Sequence, residues 1–90
     1  GIGRYILNQD GRTAEAYFAV RDDCQGQGIG RELVSHIISA ARTRGLKGLT
    51  AEVMVDNRRM LRLFRSFEGK EYTLRIRMEA GIFYLDMDFL

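Results

Sequence analysis

The sequence predicts a mixed α/β (α+β) domain with five strands and two helices in the order β-β-α-β-α-β-β. Three patterns indicate this fold class. Segments of alternating apolar and polar residues lie near both ends of the chain, two segments between them have helical apolar spacing, and glycines punctuate the boundaries. Because 90 residues are enough for one domain only, we expect a single mostly antiparallel sheet with two helices packed on it.

The chain opens with a predicted β-hairpin. Residues 3–7 have the composition of a short strand, and residues 8–11 contain Asp-Gly, which is a hairpin turn signal. Residues 14–20 then alternate, which places Glu15 and Tyr17 together on one face of the second strand.

A helix and a third strand follow. The helix is predicted over residues 31–44 and ends at Gly45, a typical C-terminal cap residue. Its apolar positions form one stripe: Leu33, Val34, Ile37, Ile38 and Ala41. Residues 48–55 form the next strand, and a strand-helix-strand order predicts a parallel crossover to the second strand.

The last three elements are a short helix and a second hairpin. Asp56-Asn57 is predicted to cap a helix over about 58–67. Residues 71–78 and 82–89 alternate around Gly81, which predicts two antiparallel strands whose Met and Phe residues belong to the core.

Composition excludes several classes of function. The formal net charge of +2 is too small to indicate nucleic-acid binding, and no apolar run approaches the ~20 residues of a membrane span. The single cysteine, Cys24, cannot form an internal disulfide and fits a reducing compartment, so we expect a cytoplasmic protein. No His or Cys spacing indicates a metal site.

Residues 24–30, CQGQGIG, concentrate flexible backbone directly before the first helix. Free N–H groups and the helix dipole make such a position suited to a phosphate. The lysine of a P-loop is absent, and a G-x-G-x-x-G match from Gly26 fails at Arg31. Glu52 nevertheless lies near where a ribose-binding acid would be expected, so a dinucleotide-binding domain and a plain tight turn both remain open.

Residues 25–30 also fit Q/R-x-x-G-x-G/A, and in this respect the chain resembles the GNAT superfamily of N-acetyltransferases. The resemblance extends to the apolar strand end at 18–20, to the two aspartates at 22–23 and to Asn57 after the third strand. The resemblance covers essentially the whole chain. Within the superfamily, the sequence is most similar in character to the bacterial protein-lysine acetyltransferases.

The resemblance implies an acyl-CoA N-acyltransferase fold and a function. The protein would transfer an acetyl group from acetyl-CoA to a primary amine, either a small molecule or a protein lysine. The residues implied to bind acetyl-CoA are Phe18, Ala19, Val20, Gln25, Gly26, Gln27, Gly28, Ile29, Gly30, Arg31 and Asn57.

Glu15 is the expected catalytic residue. It is a charged residue between alanines in the middle of the second strand, where family members often place a glutamate. An ammonium group has no lone pair, so a general base must remove its proton before it attacks the thioester. A solvated strand face is the simpler alternative for the same residue.

Two departures from the family pattern leave a second function open. Phe64 occupies the position of the tyrosine that protonates the leaving thiolate in many members, and Tyr72 and Tyr84 are the candidate substitutes. The resemblance begins at the family's third strand, so we expect residues 1–90 to be the C-terminal part of a GNAT domain. A non-catalytic CoA-binding or regulatory module is the alternative.

A partner is expected for the same reason. The outer strands have more apolar surface than this chain can cover alone, at Ile2, Ile6, Phe83, Leu85, Met87 and Phe89. We therefore expect a homodimer or contact with an upstream domain of the same chain.

Overall fold

The computed structural model describes residues 2–19 and 28–90. The predicted order of elements is confirmed, with bounds that differ by up to two residues. The elements are β1 (Ile2–Leu7), β2 (Thr13–Ala19), α1 (Ile29–Thr43), β3 (Gly48–Met54), α2 (Arg58–Arg65), β4 (Tyr72–Glu79) and β5 (Ile82–Phe89).

The strands form one mixed sheet in the spatial order β1-β2-β3-β5-β4. The pairing of β2 with β3 is parallel, as the crossover through α1 predicts, and the other three pairings are antiparallel. This arrangement is the mixed, mostly antiparallel sheet with two helices that the sequence predicts.

Both helices contribute to a core on one face of the sheet. The predicted stripe of α1 is buried from Val34 to Ala41, and Phe64 of α2 is 1% exposed. The strand residues that meet these helices are Ala14, Ala16, Leu49, Ala51, Val53, Leu85 and Met87. Residues on the opposite face of the same strands, such as Glu52 and Asp86, are exposed.

The end of α1 has the expected glycine cap. Gly45 adopts a left-handed conformation with φ 77°. Its N–H donates to the Arg42 carbonyl at 2.9 Å, and the Leu46 N–H donates to the Ala41 carbonyl at 3.0 Å. These two bonds form a Schellman motif, which turns the chain back toward the sheet at the start of β3.

The expectations about apolar burial are confirmed at Ile6, which is 52% exposed, and are wrong at three other positions. Leu85 and Met87 are each 1% exposed, because β5 lies between β3 and β4 and is covered by the helices. Met78, expected in the core, is 64% exposed because it lies near the end of the edge strand β4. The other exposed aliphatic side chains in the described part include Ile6, Leu7 and Met54.

Neither described helix could cross a membrane; α1 has 15 residues and α2 has 8.

Candidate functional site

The sheet opens between β2 and β3. The described ladder between these strands has three register pairs, Thr13 with Gly48, Ala14 with Leu49 and Glu15 with Thr50. Both strands continue beyond it, β2 to Ala19 and β3 to Met54. Their facing edges therefore present peptide N–H and C=O groups that no β2–β3 pairing uses in the described residues.

A cleft of about 340 Å³ lies at this opening. Its wall combines two carboxylates, one phenol and one amide with an apolar floor that α2 helps to form. The lining residues are Glu15, Ala16, Tyr17, Ala51, Glu52, Val53, Met54, Asn57, Met60, Phe64 and Ile82. An apolar cleft with a few convergent polar groups is the usual form of a small-molecule site.

Glu15 occupies the last paired position of β2, directly before the opening. It is partly buried and lines the cleft, on the face of β2 away from the core. A carboxylate in this position can accept a proton from a group bound in the cleft. The structure thus brings the predicted base together with Asn57, which lies at the other side of the same cleft.

Tyr17 was not among the sequence-predicted site residues, yet it lines the cleft beside Glu15. Desolvation raises its pKa above the ordinary value of 10, with further contributions from a side-chain hydrogen bond to Glu15 and from the charges of Glu15 and Glu52. The guanidinium carbon of Arg4 lies 5.6 Å from its ring centroid. The alternation of β2 already placed Tyr17 on the same face as Glu15, and that was the available signal.

Asn57 is the N-cap of α2. Its side-chain carbonyl oxygen accepts a hydrogen bond from the Met60 N–H at 3.2 Å, and its backbone carbonyl accepts one from the Leu61 N–H at 3.2 Å. The predicted capping role is confirmed. Asn57 lines the cleft, and its capping oxygen leaves the two amide protons of the same side chain available as donors.

The N-terminus of α1 begins at Gly28, which adopts φ 80° and ψ 0° and provides no side-chain cap. A Cβ atom at Gly28 would meet no heavy atom within 4 Å, so the space beside it is open. At Gly30 a Cβ atom would lie 2.9 Å from a methyl carbon of Leu63, which shows how closely α1 and α2 approach there. First-turn N–H groups of a helix are donors suited to an anion.

The remaining predicted residues divide into those the structure describes and those it does not. Val20, Gln25, Gly26 and Gln27 lie outside the described residues. The backbone of Phe18 and Ala19 continues β2 along the open edge, and the backbone of Ile29 begins α1. Arg31 is exposed, and its guanidinium carbon lies 5.5 Å from the centroid of the Phe67 ring.

The two candidate substitutes for the missing tyrosine, Tyr72 and Tyr84, do not line the cleft. Tyr72 is fully buried, and its hydroxyl donates to the Phe64 carbonyl at 2.6 Å. Burial, followed by the charges of Glu68 and Glu71, raises the pKa of Tyr72 far above its ordinary value. Tyr84 lies outside the cleft lining, under the Arg77 guanidinium at 4.5 Å, in a neighbouring depression of about 180 Å³.

A larger cavity of about 510 Å³ lies at the opposite end of β2 and β3. It contains none of the predicted site residues. Its lining mixes both signs of charge, with Asp10 and Asp86 near Arg12, Lys47 and Arg75. Volume alone therefore does not identify the site, and the chemistry of the lining favours the smaller cleft.

Comparison with known proteins agrees with the fold. The model of the acetyltransferase (GNAT) family matches residues 1–68. The ribosomal protein bS18-alanine N-acetyltransferase of Escherichia coli is 39% identical over 57 residues, which are 63% of this chain and 38% of that protein.

Solved structures give the same family. The GNAT domain of S. lividans PAT is 30% identical and superimposes with a TM-score of 0.79 over 97% of this chain and 52% of that chain. A Salmonella typhimurium protein solved with its cofactor acetyl-CoA shares the fold, with a TM-score of 0.70 and 24% identity over 94% of this chain and 54% of that one.

The chain thus spans about half the length of these solved chains and 38% of the length of the curated relative. The dinucleotide-binding alternative is wrong, because the sheet has one parallel pairing only among the described strands and the family match is to another fold. A family model that covers residues 1–68 and a solved GNAT domain that aligns with 97% of the chain establish that the chain belongs to the GNAT family of acetyltransferases.

Proposed function

We propose that the chain binds acetyl-CoA in the cleft between β2 and β3 and transfers the acetyl group to a primary amine. The opening of the ladder after Glu15 and Thr50 is the observation that carries this proposal. An extended amide chain such as the pantetheine arm can pair with the free strand edges as an added strand would. The amide protons of Asn57 then supply one further donor on the cleft side.

The pyrophosphate of acetyl-CoA would lie at the N-terminus of α1. The positive φ of Gly28 and the open space beside it allow a ligand to approach the backbone closely. Residues 25–30 as a whole are the proposed cradle, with Arg31 in the first turn as an added cation. The backbone of residues 18–20 would meet the thioester end, where one N–H could stabilise the developing oxyanion.

Glu15 is the proposed general base. It removes a proton from the incoming ammonium group, after which the amine nitrogen attacks the thioester carbonyl directly. The chain contributes orientation of the two reactants and fixed backbone donors, which are the usual large terms when no covalent intermediate forms.

The identity of the acceptor amine is the most specific part of the proposal. A protein lysine is one candidate acceptor, whereas the Escherichia coli relative is an N-acetyltransferase for an alanine of ribosomal protein bS18. A lysine side chain and an N-terminal α-amino group differ in how strongly acetylation depends on a general base, because they differ in the fraction that is uncharged at neutral pH. At pH 7 about a tenth of an α-amino group is uncharged, compared with about one in 2,500 lysine side chains.

A non-catalytic CoA-binding module is the second candidate, and Phe64 is the observation that favours it. Phe64 lines the cleft at the family's usual tyrosine position and has no hydroxyl to protonate a leaving thiolate. This module would bind CoA and acetyl-CoA with similar affinity and acetylate no amine.

Thermal unfolding of the 90-residue chain with acetyl-CoA, CoA and NAD tests the binding step. A ligand at 100 times its Kd stabilises the folded state by about 2.7 kcal/mol, which raises Tm by roughly 10 °C or more in a small domain. We expect this shift with both CoA species and none with NAD. Gly28→Asp should fold and abolish the shift, since it adds a negative charge at the cradle. No shift with either CoA species would reject the proposal.

Acetylation of peptides tests the chemical step. Glu15→Gln should retain acetyl-CoA affinity and lower kcat by roughly 10²–10⁴ with a lysine peptide, with a deficit that shrinks as pH rises. With an alanine N-terminus as acceptor the deficit should be smaller at every pH. Binding of acetyl-CoA without acetylation of either peptide would support the regulatory module instead, and equal activity of the variant and the parent would exclude Glu15 as the base.

A further inference from the structure

The proposed reaction needs an acid for the departing CoA thiolate, and the described residues offer few. The chain has four tyrosines, and all four are described. Tyr72 is fully buried and already donates to the Phe64 carbonyl. Tyr5 pairs with Ala16 and faces the helices, with the Arg44 guanidinium 5.9 Å from its ring. Tyr84 lies outside the cleft lining.

Tyr17 is the tyrosine that remains, and it lies where an acid would be needed. It follows Glu15 by two residues on β2, so both side chains project from the same face of the strand about 7 Å apart along it. Both side chains line the cleft. Its ring is 39% exposed, so a ligand can reach the phenol.

We infer that Tyr17 is the general acid that protonates the CoA thiolate, and that Glu15 and Tyr17 act together as one proton-transfer pair. The inference rests on the proposed acetyl transfer. It assigns to β2 both functions that most sites divide between two elements, and it explains how a cleft with Phe64 on its wall can still release CoA as a thiol.

The protons and bonds of the proposed reaction balance. The amine nitrogen forms a bond to the thioester carbon, and the carbon–sulfur bond breaks with its electron pair on sulfur. Tyr17 gives its phenolic proton to that sulfur, and Glu15, which received a proton from the amine, passes it to Tyr17, its neighbour on the same face of β2. An alkylammonium loses two protons when it becomes an amide; one ends on CoA and the other leaves to solvent.

The surroundings of Tyr17 keep its phenol protonated. Desolvation opposes ionisation of the phenol, Glu15 on the same strand and Glu52 on β3 oppose it further, and Arg4 on β1 favours it. The pKa of Tyr17 is therefore raised above its ordinary value, so that Tyr17 holds its proton at neutral pH and needs a second group to help it donate. A phenol alone is a weak donor to a thiolate, but a protonated carboxyl group beside it makes the coupled transfer favourable.

Kinetics of Tyr17→Phe test the inference, with Tyr84→Phe as the matched control. Tyr17→Phe removes a single hydroxyl at a partly exposed position, so folding and CoA affinity should be unchanged. We expect kcat to fall roughly 100-fold in Tyr17→Phe and not at all in Tyr84→Phe. The double variant Glu15→Gln/Tyr17→Phe should be little slower than Glu15→Gln alone, because groups that act as a unit are not additive. Additive losses or a parental kcat would overturn the pair.

Tyrosine NMR gives a readout that does not depend on turnover. With ¹³C-labelled tyrosine, Glu15→Gln should lower the pKa of Tyr17 toward its ordinary value. Binding of CoA should shift the Tyr17 resonance and not that of Tyr84. A chain that binds CoA with no change at Tyr17 would overturn the inference, even in the absence of catalysis. Failure of the parent to bind CoA at all would identify the failure of the proposed function itself.

Discussion

The two sides of β3 differ sharply in how completely they are paired. Toward β5, all seven residues of β3 have register partners, and β5 in turn pairs with β4 over eight positions. Toward β2, the described ladder ends after three positions. We call β3, β5 and β4 the closed half of the sheet, and β1, β2 and the facing edge of β3 the open half.

This difference separates stability from function. In the closed half, β5 is paired on both sides along its length, and this half includes some of the largest buried side chains, among them Tyr72, Leu85 and Met87. The open half leaves backbone N–H and C=O groups on its strand edges available to another molecule. While no ligand is bound, water can form hydrogen bonds with these groups, so leaving them unpaired costs little stability. Every described polar group of the proposed site lies in or beside the open half.

In the described residues, β2 is held to β3 at one end only. The Lys47 N–H donates to the Arg12 carbonyl at 2.7 Å. The Asn8 side-chain amide donates to the hydroxyls of Thr13 at 2.9 Å and Thr50 at 3.1 Å. These bonds hold the turn between β1 and β2 to the beginning of β3, so the strands part in the direction of the cleft.

Gly48→Ala should have the largest effect, because Gly48 is shared by both halves. It pairs with Thr13 and with Asp88, and a Cβ atom there would lie 2.1 Å from the Met87 carbonyl oxygen. Backbone cannot move aside as a side chain can, so we expect a loss of about 3 kcal/mol or more in the free energy of unfolding. Urea denaturation followed by circular dichroism measures it.

Gly30→Ala is the matched control for that variant. Its Cβ atom would meet only the end of the Leu63 side chain, which can rotate, and alanine favours the helix. A stability change within about 1 kcal/mol is expected. Similar losses of unfolding free energy in Gly30→Ala and Gly48→Ala would show that the close backbone contact at Gly48 is not specially important for the stability of the sheet.

Tyr72→Phe tests the closed half alone. The variant keeps the buried ring and removes the hydroxyl that donates to the Phe64 carbonyl. We expect a loss of about 1–2 kcal/mol in stability and no change in acetyl-CoA affinity. Since the folded state raises the pKa of Tyr72, the parent's advantage should be complete below pH 10 and decline above it. A loss of affinity at unchanged stability would contradict the separation of the two halves.

Asn57 variants test the open half. Asn57→Ala removes the cap of α2 and should cost about 1 kcal/mol. Asn57→Asp keeps an oxygen for the Met60 N–H and should retain stability, yet it loses the amide donors that the cleft offers. Calorimetric titration with acetyl-CoA should therefore show weaker binding to Asn57→Asp at parental Tm. Equal affinity would leave Asn57 as a cap only.

Asp10→Asn should have the smallest effect, visible only as a change in pH dependence. The Asp10 carboxylate accepts hydrogen bonds from the Arg12 N–H at 2.8 Å and the Thr13 N–H at 3.0 Å, which lower its pKa below the ordinary value of 3.8. A lowered pKa stabilises the folded state above pH 3.8, and that contribution is lost as pH falls further. Parent and variant should therefore converge in Tm below pH 3.8. Parallel curves would mean that this turn adds no pH-dependent stability.

The sequence determined the elements because their signals are local. The apolar stripe of α1, the glycine at its end and the Asn57 cap each depend on residues a few positions apart, and all three are confirmed. The GNAT motif at residues 25–30 was likewise identified by spacing along the chain, and Glu15 by its place between alanines together with the resemblance to that family. The roles proposed for those residues remain predictions.

Only the tertiary structure decided where the sheet opens and which side chains meet there. Nothing in the alternation of β2 indicates that pairing with β3 ends at Glu15. The alternating pattern of apolar and polar residues in a strand is the same whether or not a neighbouring strand continues beside it. The burial of Tyr72, the exposure of Met78 and the meeting of Tyr17 with Glu15 across from Asn57 follow from strand order and register. Those depend on contacts between residues far apart in sequence, which local periodicity does not encode.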